Sequence, residues 1–226
     1  MGSKAYINNY HWHAEASTRF LVIDKDKKQL VAILESEPYF CFHHINAFED
    51  ADRIIIDAAI YDNANIIHQL RLSNLLSPKH GLTNARLQRI VLRLTKRSVD
   101  VQKPSECNIE LPRINYALCN SKPYAFAYGC SLGQEAAFLD RISKVNLQTG
   151  DVKVWREDGT FPGEPVFAPH PGAEEEDEGV ILSVVLDGKR GNSFLLILDA
   201  QNMEERARAT IPDVVPFGFH GQLFPH

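Results

Sequence analysis

The chain has 226 residues, of which 44% are hydrophobic and 23% are charged, and its formal net charge is −5 at pH 7. This composition is ordinary for a globular protein, and the acidic balance argues against a nucleic-acid binder, whose contact face would be basic. No apolar run approaches the roughly 20 residues of a transmembrane helix, and the first residues lack the apolar core of a signal peptide. We therefore expect a cytoplasmic chain that forms one β-rich domain or two small ones.

The first regular pattern along the chain is a β-hairpin, with apolar runs at 19–23 and 30–34 on either side of a polar turn. Residues 39–42 form an aromatic strand that ends in two adjacent histidines, His43 and His44. Strand neighbours point to opposite faces, so only one of the two can face a given pocket. Because neutral imidazole is a common transition-metal ligand, that histidine is a candidate ligand. A hydrogen-bonded core histidine fits the same pattern.

The next three segments predict a strand, a helix and a second strand. The continuous apolar run 53–60 is typical of a strand buried on both faces. Residues 63–76 are the best helix candidate, with apolar side chains near helical spacing and Pro78 as a stop. Apolar and polar residues alternate over 87–94, which predicts a strand with one face toward solvent.

Short strands continue to the end of the chain. The aromatic segment 123–128 precedes a clear hairpin formed by 142–147 and 152–155, and two further apolar strands lie at 180–186 and 194–198. Turn signals recur roughly every 8 to 12 residues, and only one modest helix interrupts them. The pattern predicts an all-β sandwich, barrel or propeller.

Two features of composition bear on metal binding. The four cysteines, Cys41, Cys107, Cys119 and Cys130, show no paired C-x-x-C spacing, so we expect free thiols in a reducing compartment rather than a zinc site or a disulfide framework. The acidic run 174–178 lacks the spacer residues of a metal-binding loop. It is interpreted as a solvated surface turn.

Two histidines and two carboxylates in apolar settings form the candidate site. His43 and His220 both follow aromatic residues, and Glu110 and Glu164 lie in short apolar segments. A metal-bound imidazole usually donates its other N–H to a carboxylate, which fixes the tautomer. Two His–Glu pairs would supply that arrangement. The alternative is that the glutamates cap or pair with local cations such as Arg113.

Six separate stretches together resemble the carotenoid cleavage oxygenase family, and most closely its animal branch of β-carotene oxygenases and the retinoid isomerase of the retinal pigment epithelium. They fall in the family's order and with family-like spacing: Phe42–Asp50, Glu110–Tyr116, Gly163–Phe167, Pro171–Asp177, Leu195–Ala200 and Phe219–Gly221. Several motifs in register are a far more specific signal than any one of them alone.

The resemblance implies a seven-bladed β-propeller with a non-haem ferrous ion, Fe(2+), on its axis. In that family four histidines hold the iron, and glutamates support three of them. The first histidine of the family's F-H-x-x-N pattern is His43, and the F-H-G ending places the last ligand at His220. By the same analogy Glu110 would orient His43 and Glu164 would orient His220, and no catalytic residue is expected beyond this iron site.

The family's other two histidine ligands and its third glutamate have no counterpart in this sequence. His11 and His13 are the nearby histidines, but their context does not match the missing motifs. We therefore expect residues 1–18 to be a poorly defined segment and residues 19–226 to be the C-terminal portion of a propeller. A fragment, an alternative start or a shortened gene product would each fit, and a longer form with a targeting segment would fit a mitochondrial location.

The implied reaction is cleavage of a double bond in a carotenoid or apocarotenoid by O2, which yields two carbonyl products. Because metal affinity depends on ligand number and preformed geometry, we expect little turnover by this chain alone. The alternatives are a non-catalytic propeller fragment that binds or regulates a partner and, within the family, a retinoid isomerohydrolase. Any peripheral membrane contact is expected from the absent half.

Overall fold

The computed structural model describes residues 5–77, 81–133, 136 and 138–224. The helices are a 3-10 turn at Tyr6–Asn9 and the short α-helices α1 (Asn65–Gln69), α2 (Leu72–Leu75) and α3 (Tyr116–Cys119). The strands are β1 (Thr18–Asp24), β2 (Gln29–Ser36), β3 (Phe40–Asp50), β4 (Arg53–Tyr61), β5 (Arg86–Arg93), β6 (Ser98–Gln102), β7 (Glu110–Arg113), β8 (Phe126–Ser131), β9 (Arg141–Asn146), β10 (Val152–Trp155), β11 (Thr160–Pro162), β12 (Val166–Pro169), β13 (Gly179–Asp187), β14 (Asn192–Asp199) and β15 (Glu205–Ile211). No helix in these ranges is long and apolar enough to cross a membrane.

The strands pair into four antiparallel sheets in the described ranges. β1 and β2 form a two-stranded sheet, and β3 to β6 and β7 to β10 form four-stranded sheets in sequence order. β11 to β15 form a five-stranded sheet in which β13 pairs with β11, β12 and β14. Short turns join antiparallel neighbours, which explains why consecutive strands pair. The predicted antiparallel β class is confirmed.

The β1–β2 hairpin lies where the sequence predicted it and packs one face on the second sheet. Ala32 and Leu34 are buried in one cluster with Ile90, whereas Leu21 and Ile33 at alternate positions are exposed. This is the period-2 pattern of a strand pair with one buried face.

β3 continues through the two histidines to Asp50, so the expectation of a strand end at His43 is wrong. Its pairing with β4 shifts register between Cys41 and His43 and again between His44 and Asn46. Such irregularities re-aim side chains locally. His43 is therefore half-buried while His44 is exposed.

β4 confirms the predicted buried strand, but the expectation that β5 turns one face to solvent is wrong. Arg89 and Arg93 lie on that face and are partly buried because they pair with Asp57 and Asp100 on the neighbouring strands. Val91 between them is also buried. Ion pairs with neighbouring strands shield this face from solvent. The alternating pattern within β5 could not predict them, because the partners lie on other strands.

The single helix predicted over 63–76 is instead two short helices, α1 and α2. Arg71 between them has extended backbone, with φ −66° and ψ 136°. Ile66 is buried but Leu72 is exposed, so only part of the predicted apolar stripe packs against the core. Because packing supplies most of the stability of a helix, the exposed part does not continue as one helix. Pro78, the predicted stop, lies outside the described residues.

The hairpin predicted in the second half of the chain is confirmed as β9 and β10. Gly150 in its turn has a φ of 81°, which glycine adopts without steric cost. The aromatic strand predicted to end at Gly129 continues through it to Ser131 as β8. The two apolar strands predicted at 180–186 and 194–198 are β13 and β14.

The acidic run 174–178 is not simply a solvated turn, and that interpretation is wrong for two of its residues. Glu176 accepts hydrogen bonds from the backbone N–H groups of Ala125–Phe126 at 2.8 and 2.7 Å. Asp177 pairs with Lys144 at 2.5 Å, and the Lys144 side chain is buried. The run therefore connects the fourth sheet to the third.

Buried apolar clusters fill the spaces between successive sheets. One cluster joins Ile45 and Leu87 of the second sheet to Val145 of the third. Another joins Ile142 of the third sheet to Val185 and Leu196 of the fourth. The sheets thus pack in series, and β3 of the second sheet lies in contact with β7 of the third.

Candidate metal centre

His43 on β3 faces Glu110, the first residue of β7. Its Nδ1 lies 2.6 Å from Oε2 of Glu110, and the two side chains are 18% and 10% exposed. An imidazole that donates Nδ1–H to a carboxylate presents an unprotonated Nε2 on its other side. His43 is thereby held in the orientation and tautomer of a metal ligand.

Two further donors fix Glu110. The Tyr61 hydroxyl at the end of β4 donates to Oε1 at 2.9 Å, and the Leu111 backbone N–H donates to Oε2 at 3.0 Å. Burial, and then the neighbouring Glu110 carboxylate, raises the pKa of Tyr61 well above its ordinary value. The phenol therefore stays neutral and remains a donor.

His220 lies on an irregular segment after β15, so the expectation of a strand end is wrong here too. Its Nδ1 is 3.0 Å from Oε1 of Glu164, which lies just before β12. The Glu164 side chain is only 4% exposed, whereas the His220 imidazole is 48% exposed. The carboxylate is therefore the fixed partner of this pair.

The second oxygen of Glu164 binds a cation and a backbone amide. Oε2 accepts hydrogen bonds from Nη2 of Arg113 at 2.9 Å and from the Gly221 N–H at 2.8 Å. Burial alone would raise the pKa of Glu164, but the bonds from Arg113, Gly221 and His220 outweigh it and hold this pKa below its ordinary value. The sequence left two interpretations of Glu164 open, a partner of a histidine or a partner of Arg113. The carboxylate contacts both.

The two imidazoles converge on one point. Nε2 of His43 and Nε2 of His220 are 3.4 Å apart, and the ring planes cross at 82°. Two nitrogens that each lie about 2.1 Å from a shared ion would have this separation at an angle of about 110°. Each Nδ1 already faces a carboxylate, so the residues present fit two ligands of one metal ion. Within the described ranges, no group of three or more His, Cys, Asp or Glu side chains is placed to hold a metal.

The other histidines considered from the sequence are not joined to this pair by any hydrogen bond or ion pair in the described part of the chain. His44 is exposed on β3. His13 pairs with Glu15 at 3.4 Å on the surface, and His11 is exposed.

β7 is the strand that supports both histidines, because it carries Glu110 and Arg113. Its pairing with β8 shifts register between these two residues, and Leu111 has a φ of 48°. Left-handed backbone at a non-glycine residue costs roughly 1–3 kcal/mol. Here it allows two side chains three positions apart to reach the same site.

A large cavity borders the two imidazoles. Its volume is about 710 Å³, within the range of small-molecule sites. His43 and His220 lie on its wall, and the rest of the lining is mainly apolar, including Phe42, Ile66, Leu82, Phe161, Leu186 and Phe217. The arrangement can place an apolar molecule beside a metal-binding pair of histidines.

Sequence reasoning missed Tyr61 as part of this site and underrated Arg113 and Asn46. Tyr61 carries no local signal, because its partner Glu110 is 49 positions away. The Asn46 side chain donates to the backbone carbonyls of Cys119 and Lys122 at 2.9 and 3.1 Å. This asparagine anchors β3 just beyond His43.

Comparison with known proteins assigns the chain to a family. The profile of the retinal pigment epithelial membrane protein family matches residues 1–225. The chain is 38% identical over 266 residues to the mitochondrial carotenoid-cleaving dioxygenase of Macaca fascicularis, covering 98% of this chain and 47% of the relative. It is 32% identical to the carotenoid isomerooxygenase of Galleria mellonella, covering 96% of this chain and 45% of the relative.

Solved structures agree with this assignment. The chain resembles the cobalt-substituted ACO (apocarotenoid oxygenase) of Synechocystis with a TM-score of 0.82 and 25% identity, over 93% of this chain and 44% of that chain. The chain spans about half the length of the curated relatives it matches. It belongs to the retinal pigment epithelial membrane protein family, the carotenoid cleavage oxygenases.

Proposed function

We propose that this chain contributes His43 and His220 as ligands of an Fe(2+) ion in a carotenoid or apocarotenoid oxygenase, with Glu110 and Glu164 orienting them. The observation that carries the proposal is the 3.4 Å separation of the two Nε2 atoms, each backed by a carboxylate on Nδ1. A cobalt-substituted structural relative supports a metal-dependent reaction.

The oxygen chemistry at a polyene double bond would be supplied by the Fe(2+) ion when bound. The chain's own part is to accept hydrogen bonds from the Nδ1–H groups of His43 and His220 at Glu110 and Glu164, which keeps both Nε2 atoms free. The apolar cavity lining would orient a polyene beside these atoms and exclude water. Cleavage rather than isomerisation is proposed because the relatives at 35–38% identity are named carotenoid-cleaving dioxygenases.

The sheets are proposed to be blades of a seven-bladed β-propeller, with residues 19–226 as a partial propeller domain. In this proposal the other histidine ligands belong to a region of the relatives that the chain does not cover. Two neutral histidines alone make a weak site, since affinity depends on ligand count. Little O2-dependent cleavage is therefore expected from this chain alone.

A second candidate is a non-catalytic product that binds a partner. It is favoured by the outer face of the β1–β2 hairpin, where Leu21 and Ile23 are each 59% exposed. β1 also has an unpaired edge within the described sheets, and such an edge can pair with another chain.

Metal titration of the purified chain tests the proposed function. Fe(2+) is added under anaerobic conditions, and bound metal is measured by equilibrium dialysis over a range of metal concentrations. His43→Ala and His220→Ala should each weaken binding by more than the roughly 10- to 100-fold lost with an outer hydrogen-bond partner. His44→Ala, at the exposed neighbouring position, is the matched control and should bind as the unmodified chain does. Iron content unaffected by both ligand substitutions would contradict the assignment.

A further inference from the structure

The irregular segment 212–224 carries His220, yet it has no strand or helix to fix its position. We propose that Arg113 on β7 is the positioning residue for His220, because it docks this segment against Glu164. The consequence for metal binding rests on the proposed function. The docking itself does not depend on a metal.

Arg113 contacts Gly221, the residue that follows His220, both directly and through Glu164. Nη2 of Arg113 donates to Oε2 of Glu164 at 2.9 Å and also to the Gly221 carbonyl. The Gly221 N–H donates to the same Oε2 at 2.8 Å. Both backbone polar groups of Gly221 are therefore held, one by the arginine and one by the carboxylate that the arginine neutralises. Charge-assisted bonds of this kind are stronger than neutral ones.

Few other polar contacts fix the segment. In the part of the chain that the structure describes, its hydrogen bonds to the sheets occur only at Val215, which exchanges bonds with Ser193 at 3.0 and 3.2 Å, and at His220 and Gly221. Phe219, next to the histidine, is 68% exposed. Apolar contacts also hold the segment, since Phe217 packs on Phe138 and Phe161. Next to the histidine, the polar contacts that hold the segment to the sheets are those of Glu164 and Arg113.

The geometry around Arg113 also indicates a specialised placement. Its Nε is buried and has no hydrogen-bond partner in the described ranges, although buried donors are nearly always paired. The guanidinium group thus directs Nη2 at Glu164 and Gly221 while Nε stays unpaired.

Amide hydrogen exchange of the metal-free chain tests the docking. Arg113→Ala should speed exchange of the Gly221 amide, whose N–H donates to Glu164, by at least about tenfold, because local opening of the segment becomes easier. Arg113→Lys keeps a positive charge near Glu164 on a shorter side chain, so it should fold and lose part of the protection. Arg53→Ala is the matched arginine control and should leave this amide unchanged.

Two further measurements separate positioning from general stability. Millimolar guanidinium ion should restore protection in Arg113→Ala, whereas lithium at equal ionic strength should not. In the Co(2+)-loaded chain, Arg113→Ala should change the visible spectrum in the same direction as His220→Ala. Unchanged exchange of the Gly221 amide in either folded Arg113 variant would overturn the proposal. If the unmodified chain binds no metal, the proposed function fails, but the exchange experiment still decides the role of Arg113.

Discussion

Tyr61 donates its hydroxyl hydrogen to Oε1 of Glu110 across 2.9 Å, and the other oxygen of that carboxylate lies 2.6 Å from Nδ1 of His43. Glu164, which supports His220, instead faces the guanidinium of Arg113. A cation withdraws more negative charge from a carboxylate than a phenol does. The two imidazoles are therefore unequal, and His43 has the more electron-rich support.

Replacing Tyr61 with Phe removes this hydroxyl and keeps the ring. Oε1 of Glu110 then loses a buried donor, so we expect the free energy of unfolding to fall by about 1–3 kcal/mol. Metal affinity should fall about tenfold, because Glu110 orients His43 less firmly. Urea unfolding and metal titration measure the two effects. Tyr39→Phe, at a half-buried tyrosine, is the control, and equal metal affinity in the two variants would contradict the role given to Tyr61.

Gly129 on β8 provides the space in which Glu110 sits. A Cβ at Gly129 would lie 2.3 Å from Ile109 Cγ1 and 2.9 Å from the Glu110 backbone oxygen. Gly129→Ala should therefore displace β7, destabilise the chain by about 1–3 kcal/mol and weaken metal binding. Gly218→Ala is the control, because nothing lies within 4 Å of its Cβ position. A crystal structure of Gly129→Ala with β7 unmoved would count against this explanation.

Asp57 is the buried centre of a polar network in the second sheet. It accepts two hydrogen bonds from Arg89 at 2.8 and 2.9 Å and one from the Tyr124 hydroxyl at 2.8 Å. Asp57→Ala leaves Arg89 without its partner, so stability should fall by about 3–5 kcal/mol. Asp62→Ala breaks the exposed pair with Arg86 and should cost no more than about 1 kcal/mol. Thermal or urea unfolding distinguishes the two, and similar losses would show that the buried network adds little.

Cys119 should be chemically inert in the folded chain. Burial, followed by the nearby Glu176 carboxylate, raises the pKa of its thiol to about 11. The folded state therefore keeps the thiol proton to a higher pH than the unfolded state does. This contribution to stability is fully present below pH 9 and is lost as the pH rises toward about 11. Iodoacetamide at pH 8 should label Cys119 only after unfolding, as peptide mass mapping can show. Cys119→Ser should reduce the alkaline loss of stability by the share of this thiol, while the raised pKa of Cys41, also about 11, keeps its own share. Labelling of Cys119 in the folded chain at the unfolded rate would refute the expectation.

Local pattern predicted most strands, because strand alternation and turn residues act over a few positions. The hairpins β1–β2 and β9–β10 are examples. It did not predict the register shifts of β3, the break at Arg71 or the burial of Glu176, since each depends on partners or packing far along the chain. A strand's own sequence does not encode a contact 50 positions away.

The candidate site was predicted only in part for the same reason. His43, His220, Glu110 and Glu164 were selected by the order of several motifs, not by periodicity, and the structure brings these four side chains together. Tyr61 stands in an apolar strand with no motif around it, so its contact with Glu110 becomes visible only in the folded chain.

β7 is only four residues long, yet it holds Glu110 against His43 and Arg113 against Glu164. A fluctuation that detaches this strand from β8 releases both histidines in the same event. Local opening of the segment 212–224 alone would release only His220, whereas loss of β7 disturbs both imidazoles. The capacity to hold a metal ion should therefore be lost whenever the pairing of this one short strand is lost.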